Sequence, residues 1–95
     1  MTTKMVILAK VKELPKKVEF RGRKESKIVL SVKRNFQNSD GDFIWDTMEV
    51  LLWRGIADYI NGVVKVGEDI QIIGRCEKDK NNDIVLFGEQ VDLIR

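Results

Sequence analysis

The 95-residue chain contains no histidine, one cysteine, one proline and no apolar run approaching the length of a membrane span. The missing histidine removes Ser–His–Asp triads, imidazole metal sites and histidine acid–base pairs together. Cys76 alone makes neither an internal disulfide nor a cysteine cluster for zinc. Among Ile70, Ile72 and Gly74 it reads as a buried structural thiol. A spanning helix needs roughly 20 consecutive apolar residues, and the opening Met1 to Lys4 lacks the apolar core of a signal peptide. No glycine-rich loop has the spacing of a phosphate or dinucleotide cradle. Paired carboxylates can work without histidine, but Asp40, Asp42, Asp79 and Asp83 fall in turns or at exposed strand positions. The expectation is a cytoplasmic, non-enzymatic protein with no cofactor and no membrane segment.

What is present suits one small domain over residues 1–95, with 43% apolar residues to build one core. The formal charge, 17 basic minus 15 acidic residues, is +2, but it is unevenly spread. Residues 1–34 hold 11 basic and 3 acidic residues, a balance of +8, and residues 35–95 hold 6 and 12, a balance of −6. A basic half joined to an acidic half suggests either a surface that faces a polyanion or a solvated charged face.

Met5 to Val11 is apolar enough for a first strand. Pro15, Lys16 and Lys17 break it, and Val18 to Phe20 resume it. Arg21 to Lys27 reads as a polar turn around Gly22. Ile28, Leu30 and Val32 alternate with Ser31, Lys33 and Asn35, the period of a half-buried strand. Asn38-Ser-Asp-Gly41 is a strong turn, and the arm from Trp45 to Trp53 returns with Met48, Val50 and Leu52 on one face. Ile56, Tyr59, Ile60 and Val63 then follow helical spacing, ending at Gly67. Strands at Asp69–Glu77 and Ile84–Ile94 close the chain, joined by a charged turn over Lys78–Asp83, with Gly88 as a bulge or bend.

Three strands, one helix and two strands make an all-β chain with a small helix. This is the order of the oligonucleotide/oligosaccharide-binding (OB) fold, a five-stranded Greek-key barrel with a helix between strands 3 and 4. Its binding face is formed by strands two and three and the loops joining strands one–two and four–five. The basic excess lies in the first two strands and their loop.

Val6-Ile-Leu8, Pro15, Leu30-x-Val32-x-Arg34-x-Phe36, Leu51-Leu-Trp-Arg54, Lys65-x-Gly67 and Ile70-x-Ile72-x-Gly74-Arg75 occur in an order and spacing that resembles the bacterial single-stranded DNA-binding protein family. The resemblance implies sequence-tolerant binding of single strands, by aromatic stacking and a basic groove, in replication, repair, recombination or DNA transfer. It puts Phe36 and Trp53 where family aromatics stack. Their alternatives are hairpin packing for Phe36 and a satellite of the core for Trp53, while Trp45 either stacks or covers the turn. Lys33 and Arg75 face outward, Lys33 as a contact to phosphate and Arg75 to phosphate or a base face. Arg21, Arg23, Lys24 and Lys27 line the first loop as electrostatic contacts. RNA is a further possible ligand, because stacking alone does not read the sugar.

The resemblance also implies self-association, as a homodimer or homotetramer, through the first strand, Met5 to Val11, an edge that needs covering. Several departures stand against strong binding. Thr47 replaces an aromatic, Glu49 puts a carboxylate on the expected face, and the Lys78–Asp83 turn has no aromatic. The sequence ends at Arg95 without the family's linker and acidic tip. These features leave a second reading open: a protein-interaction or primosome-accessory module with weak or no nucleic-acid binding.

Overall fold

The computed structural model describes residues 3–94. Met1, Thr2 and Arg95, on which the readings of the two chain ends partly rest, lie outside the described residues. The elements run β1 (Met5–Phe20), β2 (Arg23–Gln37), β3 (Phe43–Leu52), α1 (Arg54–Val63), β4 (Asp69–Lys78) and β5 (Ile84–Leu93). The sheet closes in the order β1-β2-β3-β5-β4, with one parallel contact, β3 to β5 over Val50–Leu52. This is the expected OB barrel. Among the described residues no helix is long and apolar enough to cross a membrane.

The period-two faces set the core. Ile28, Leu30, Val50, Leu52, Ile70 and Ile72 are buried from three strands, and Val11 joins them from β1. Side chains of one parity in a closed barrel converge on its axis, so apolar alternation alone fixes which face turns inward. Ile28 pairs with Val50 and Leu30 with Met48 across the long β2–β3 hairpin.

Several expectations change. Pro15 does not break β1. The strand runs through it, with register shifts between Val11 and Glu13 and between Glu13 and Lys16. Proline lacks a ladder donor and is accommodated where a bulge removes the need for one. The bend lets one strand pair first with β4 and then with β2. The polar turn shrinks from Arg21–Lys27 to Arg21–Gly22, because Phe20 already pairs with Arg23. Ala57 and Ile60 of α1 are buried, as is Val64 at its C-cap, whereas Tyr59 and Val63 are exposed. The helix is rotated so that the small Ala57 meets the barrel floor, and Asn61 Nδ2 donates to the Pro15 carbonyl at 3.2 Å.

Two further details hold the loops. Asn38 Oδ1 accepts from the amides of Asp40 and Asp42, and Asp79 Oδ1 accepts from those of Asn81 and Asp83. The same Asx device closes both turns. The expected bulge at Gly88 is present as a register shift: Ile73 pairs with Gln90 but Gly74 pairs with Gly88. Cys76 is half-buried, not buried, because the β4 parity that buries Ile72 and Gly74 has reached the barrel rim at residue 76.

Candidate nucleic-acid interface

The β1–β2 turn is built from two residues of positive φ, Arg21 (51°) and Gly22 (75°). Two consecutive left-handed residues make the tight hairpin turn whose twist suits the flanking strands. Glycine accepts this at no steric cost; arginine does so less readily. The turn folds the Arg21 guanidinium over the Phe20 ring, 4.8 Å from its centroid. Phe20 in turn meets Phe87 of β5 edge to face, with centroids 6.1 Å apart. Arg75 of β4, paired across the ladder with Phe87, lies over that ring at 4.7 Å.

These groups wall an open cleft of about 620 Å³, completed by Arg23, Glu25, Leu51, Leu52, Trp53 and Glu77. Trp53 follows the last residue of β3 and opens α1, and it is 58% exposed. Three rings and three guanidinium groups therefore share one concavity at the hairpin end of the barrel. Phe20 also lines two neighbouring hollows, one toward Leu51 and Ile84 and one toward the Asp79–Asn81 turn.

Arg75 is held from two sides. Its Nε donates to Glu77 at 2.6 Å and an Nη donates to Glu89 at 3.1 Å. The Glu77 hydrogen bond, with help from both carboxylates' charge, holds the Arg75 proton more tightly than usual. A guanidinium already matched by two carboxylates offers its flat face, not spare charge.

The sequence-derived candidates divide. Trp53, Arg75, Arg21 and Arg23 meet in the cleft. Arg23, Lys24 and Lys27 belong to β2 and not to a loop, since the turn is only two residues long. Lys24 lines an adjoining hollow with Lys17 and Arg54. Lys27 pairs with Glu49 at 3.2 Å, so the carboxylate on the β2–β3 face neutralises that lysine. Lys33 and Trp45 are cross-strand partners at the far end of the hairpin, where Lys33 Nζ lies 4.5 Å from the Phe43 centroid. Phe36, 64% exposed, lies between Lys33 and Gln37, where the β2–β3 register shifts, and does not line the cleft.

Phe20 and Phe87 were not anticipated. An aromatic beside a basic Arg-Gly-Arg turn was a usable signal for Phe20. Nothing local distinguishes Phe87, whose role depends on the β4–β5 register.

No protein-family model and no curated protein matches the chain in sequence. Solved structures do match it in shape. A small single-stranded DNA-binding protein from Streptomyces coelicolor superposes with a TM-score of 0.72 at 12% identity, covering 99% of this chain and 95% of that one. The barrel is theirs in architecture. The mitochondrial single-stranded DNA-binding protein of S. cerevisiae gives 0.74 at 11% identity, covering 100% and 96%. The protein PriB from Ralstonia solanacearum gives 0.71 at 12% identity, with both chains covered in full. Bacterial and mitochondrial single-stranded DNA-binding proteins thus share the OB barrel that the strand order implies.

Proposed function

We propose that this protein binds single-stranded DNA without catalysis and with little sequence preference, in replication, repair, recombination or DNA transfer. The observation that carries the reading is the cleft in which Phe20, Trp53 and Phe87 stand beside Arg21, Arg23 and Arg75. Every base has a π-face, so such rings accept bases of any identity, at about 1–3 kcal/mol per stacked base. Arg21 and Arg23 supply charge for phosphates, and the braced Arg75 supplies a flat cationic face for a base. Lys33 and Trp45 form a second, smaller contact region at the other end of the hairpin.

Self-association through Met5 to Val11 belongs to the same reading, as a homodimer or homotetramer. From Met5 to Ala9 the ladder of β1 runs to β4 alone, and Val6 and Leu8 are both 58% exposed. A second copy of the strand would use the free edge and cover those side chains.

Titration of the protein with poly(dT), followed by tryptophan fluorescence at low and moderate salt, tests the reading. Quenching that weakens steeply as salt rises is expected, because phosphate contacts release counterions. A parallel titration with poly(U) measures any RNA binding. The competing reading, a protein-interaction or primosome-accessory module, is favoured by one feature: Glu49 neutralises Lys27 in the middle of the β2–β3 face. It prevails if fluorescence is unchanged and no labelled oligonucleotide is retained on a filter.

A further inference from the structure

A second cationic hollow adjoins the aromatic cleft. It encloses about 240 Å³ and is lined by Lys17, Lys24, Glu25, Ser26, Leu52 and Arg54. Glu25 and Leu52 line both concavities, so the two adjoin, with Trp53 of the cleft next in sequence to Arg54 of the hollow. Lys17 faces Ser26 across the β1–β2 ladder, and Lys24, two residues before Ser26, projects to the same side. Arg54 joins them from the start of α1. Among the described residues, Lys17 and Lys24 have no carboxylate within 4.0 Å. Arg54 has one loose partner, Asp58 at 3.9 Å, with both side chains largely in solvent. Such a pair contributes little and yields easily to a phosphate.

The alternative exit from the cleft crosses the outer face of β2 and β3. There Lys27 is matched by Glu49, and Lys12 Nζ donates to Thr47. A polyanion on that route would have to displace Glu49 from Lys27 before it reached Lys33.

We infer that a bound single strand leaves the aromatic cleft round Trp53 and lays its phosphates along Lys17, Lys24 and Arg54, a subsite separate from the β2–β3 face. This rests on the single-strand reading above. Bases stack in the cleft while the backbone turns under the β1–β2 hairpin, where three cations and one carboxylate, Glu25, line the hollow and Asp58 holds Arg54 only loosely. The footprint is therefore longer than the cleft alone allows.

The test compares a dT oligomer of about 4 nucleotides with one of about 15, lengths that bracket the site size of one OB fold. Wild type is set beside a Lys17→Gln/Lys24→Gln/Arg54→Gln variant and a Lys27→Gln/Lys33→Gln variant. Each phosphate contact contributes a slope of about −0.7 to log K against log salt for single strands. The triple variant is expected to lose about 2 from the slope with the longer oligomer and to bind the short one as wild type does. Arg54→Gln alone is expected to lose about 0.7, which keeps the test decisive if the triple variant melts early. The Lys27/Lys33 variant is expected to keep the larger part of the slope. A triple variant with the wild-type slope, or a larger loss in the Lys27/Lys33 variant, overturns the route while leaving single-strand binding in place. Wild type that binds neither oligomer overturns both.

Discussion

At the residue scale the cleft depends on rings from three separate parts of the chain, the end of β1, the β3–α1 junction and the interior of β5. Phe20 touches Phe87 and Arg21, and it borders three hollows at once. Phe20→Ala is expected to weaken oligo(dT) binding by about 1–3 kcal/mol, roughly 5- to 150-fold, with Trp53→Ala in the same range. Phe36→Ala, outside the cleft, is expected to cost less than either. Filter binding of the three variants side by side decides the order, and a Phe36 effect larger than the Phe20 effect would move the site to the far end of the hairpin. Sequence reasoning singled out Trp53 and Arg75 through the Leu51-Leu-Trp-Arg54 and Gly74-Arg75 patterns. It passed over Phe87 because a single aromatic inside a strand looks the same whether it faces a cleft or bare solvent.

At the element scale, two close approaches hold β4 and β5 at their bulge. A Cβ on Gly74 would collide with the Phe87 carbonyl, a backbone atom with no freedom to move aside. On Gly88 it would come within 2.7 Å of a Leu52 methyl and 2.9 Å of an Ile72 methyl, side chains that have some room to shift. Overpacking of this kind typically costs about 1–3 kcal/mol. Gly74→Ala is expected to reach or exceed the top of that range and Gly88→Ala to fall below Gly74→Ala, as read by thermal denaturation. The β2–β3 hairpin carries a different constraint. The hydrogen bonds from Arg34, with the guanidinium charge, hold the Asp46 carboxyl below its ordinary 3.8. A carboxyl depressed in the folded state stabilises above its unfolded value and loses that contribution as pH falls through the folded one. Stability should therefore decline below about pH 4, and Asp46→Asn should flatten that part of the Tm–pH curve. An identical curve for the variant would mean that the pair adds nothing. Glu13, lowered chiefly by its hydrogen bond from Lys16, works in the same direction.

At the scale of the whole molecule, the uneven charge of the sequence acquires two meanings. Part of the acidic half comes back to meet the basic half: Asp69 pairs with Lys10, Glu49 with Lys27 and Asp46 with Arg34. Among the described residues, four cations with no carboxylate within 4.0 Å meet at the β1–β2 hairpin end, Arg21 and Arg23 in the cleft and Lys17 and Lys24 beside it. The opposite edge is apolar, with Val6 and Leu8 exposed on β1. If that edge joins copies, Leu8→Glu should yield a monomer in sedimentation equilibrium where wild type sediments as a dimer or tetramer. Wild type that is monomeric throughout would assign the edge no role in assembly. The variant's unchanged circular dichroism would separate loss of association from loss of fold.

Alternation, turn residues and one helical stretch determined the barrel, because a period of two allows only one face of each strand to turn inward. The strand order did the rest: the helix falls where the OB fold requires one. Tertiary structure decided what those patterns leave open. Whether Pro15 ends β1 depended on a bulge between two pairing partners, and which stripe of α1 packs depended on how closely its backbone approaches the barrel floor. Which cations stay free depended on carboxylates up to 59 residues away in sequence, as for Lys10 and Asp69. The three rings of the cleft are separated along the chain and meet only when the barrel closes. The sequence is rich in local constraints and silent about register, and it is register that turns scattered aromatics and arginines into one site.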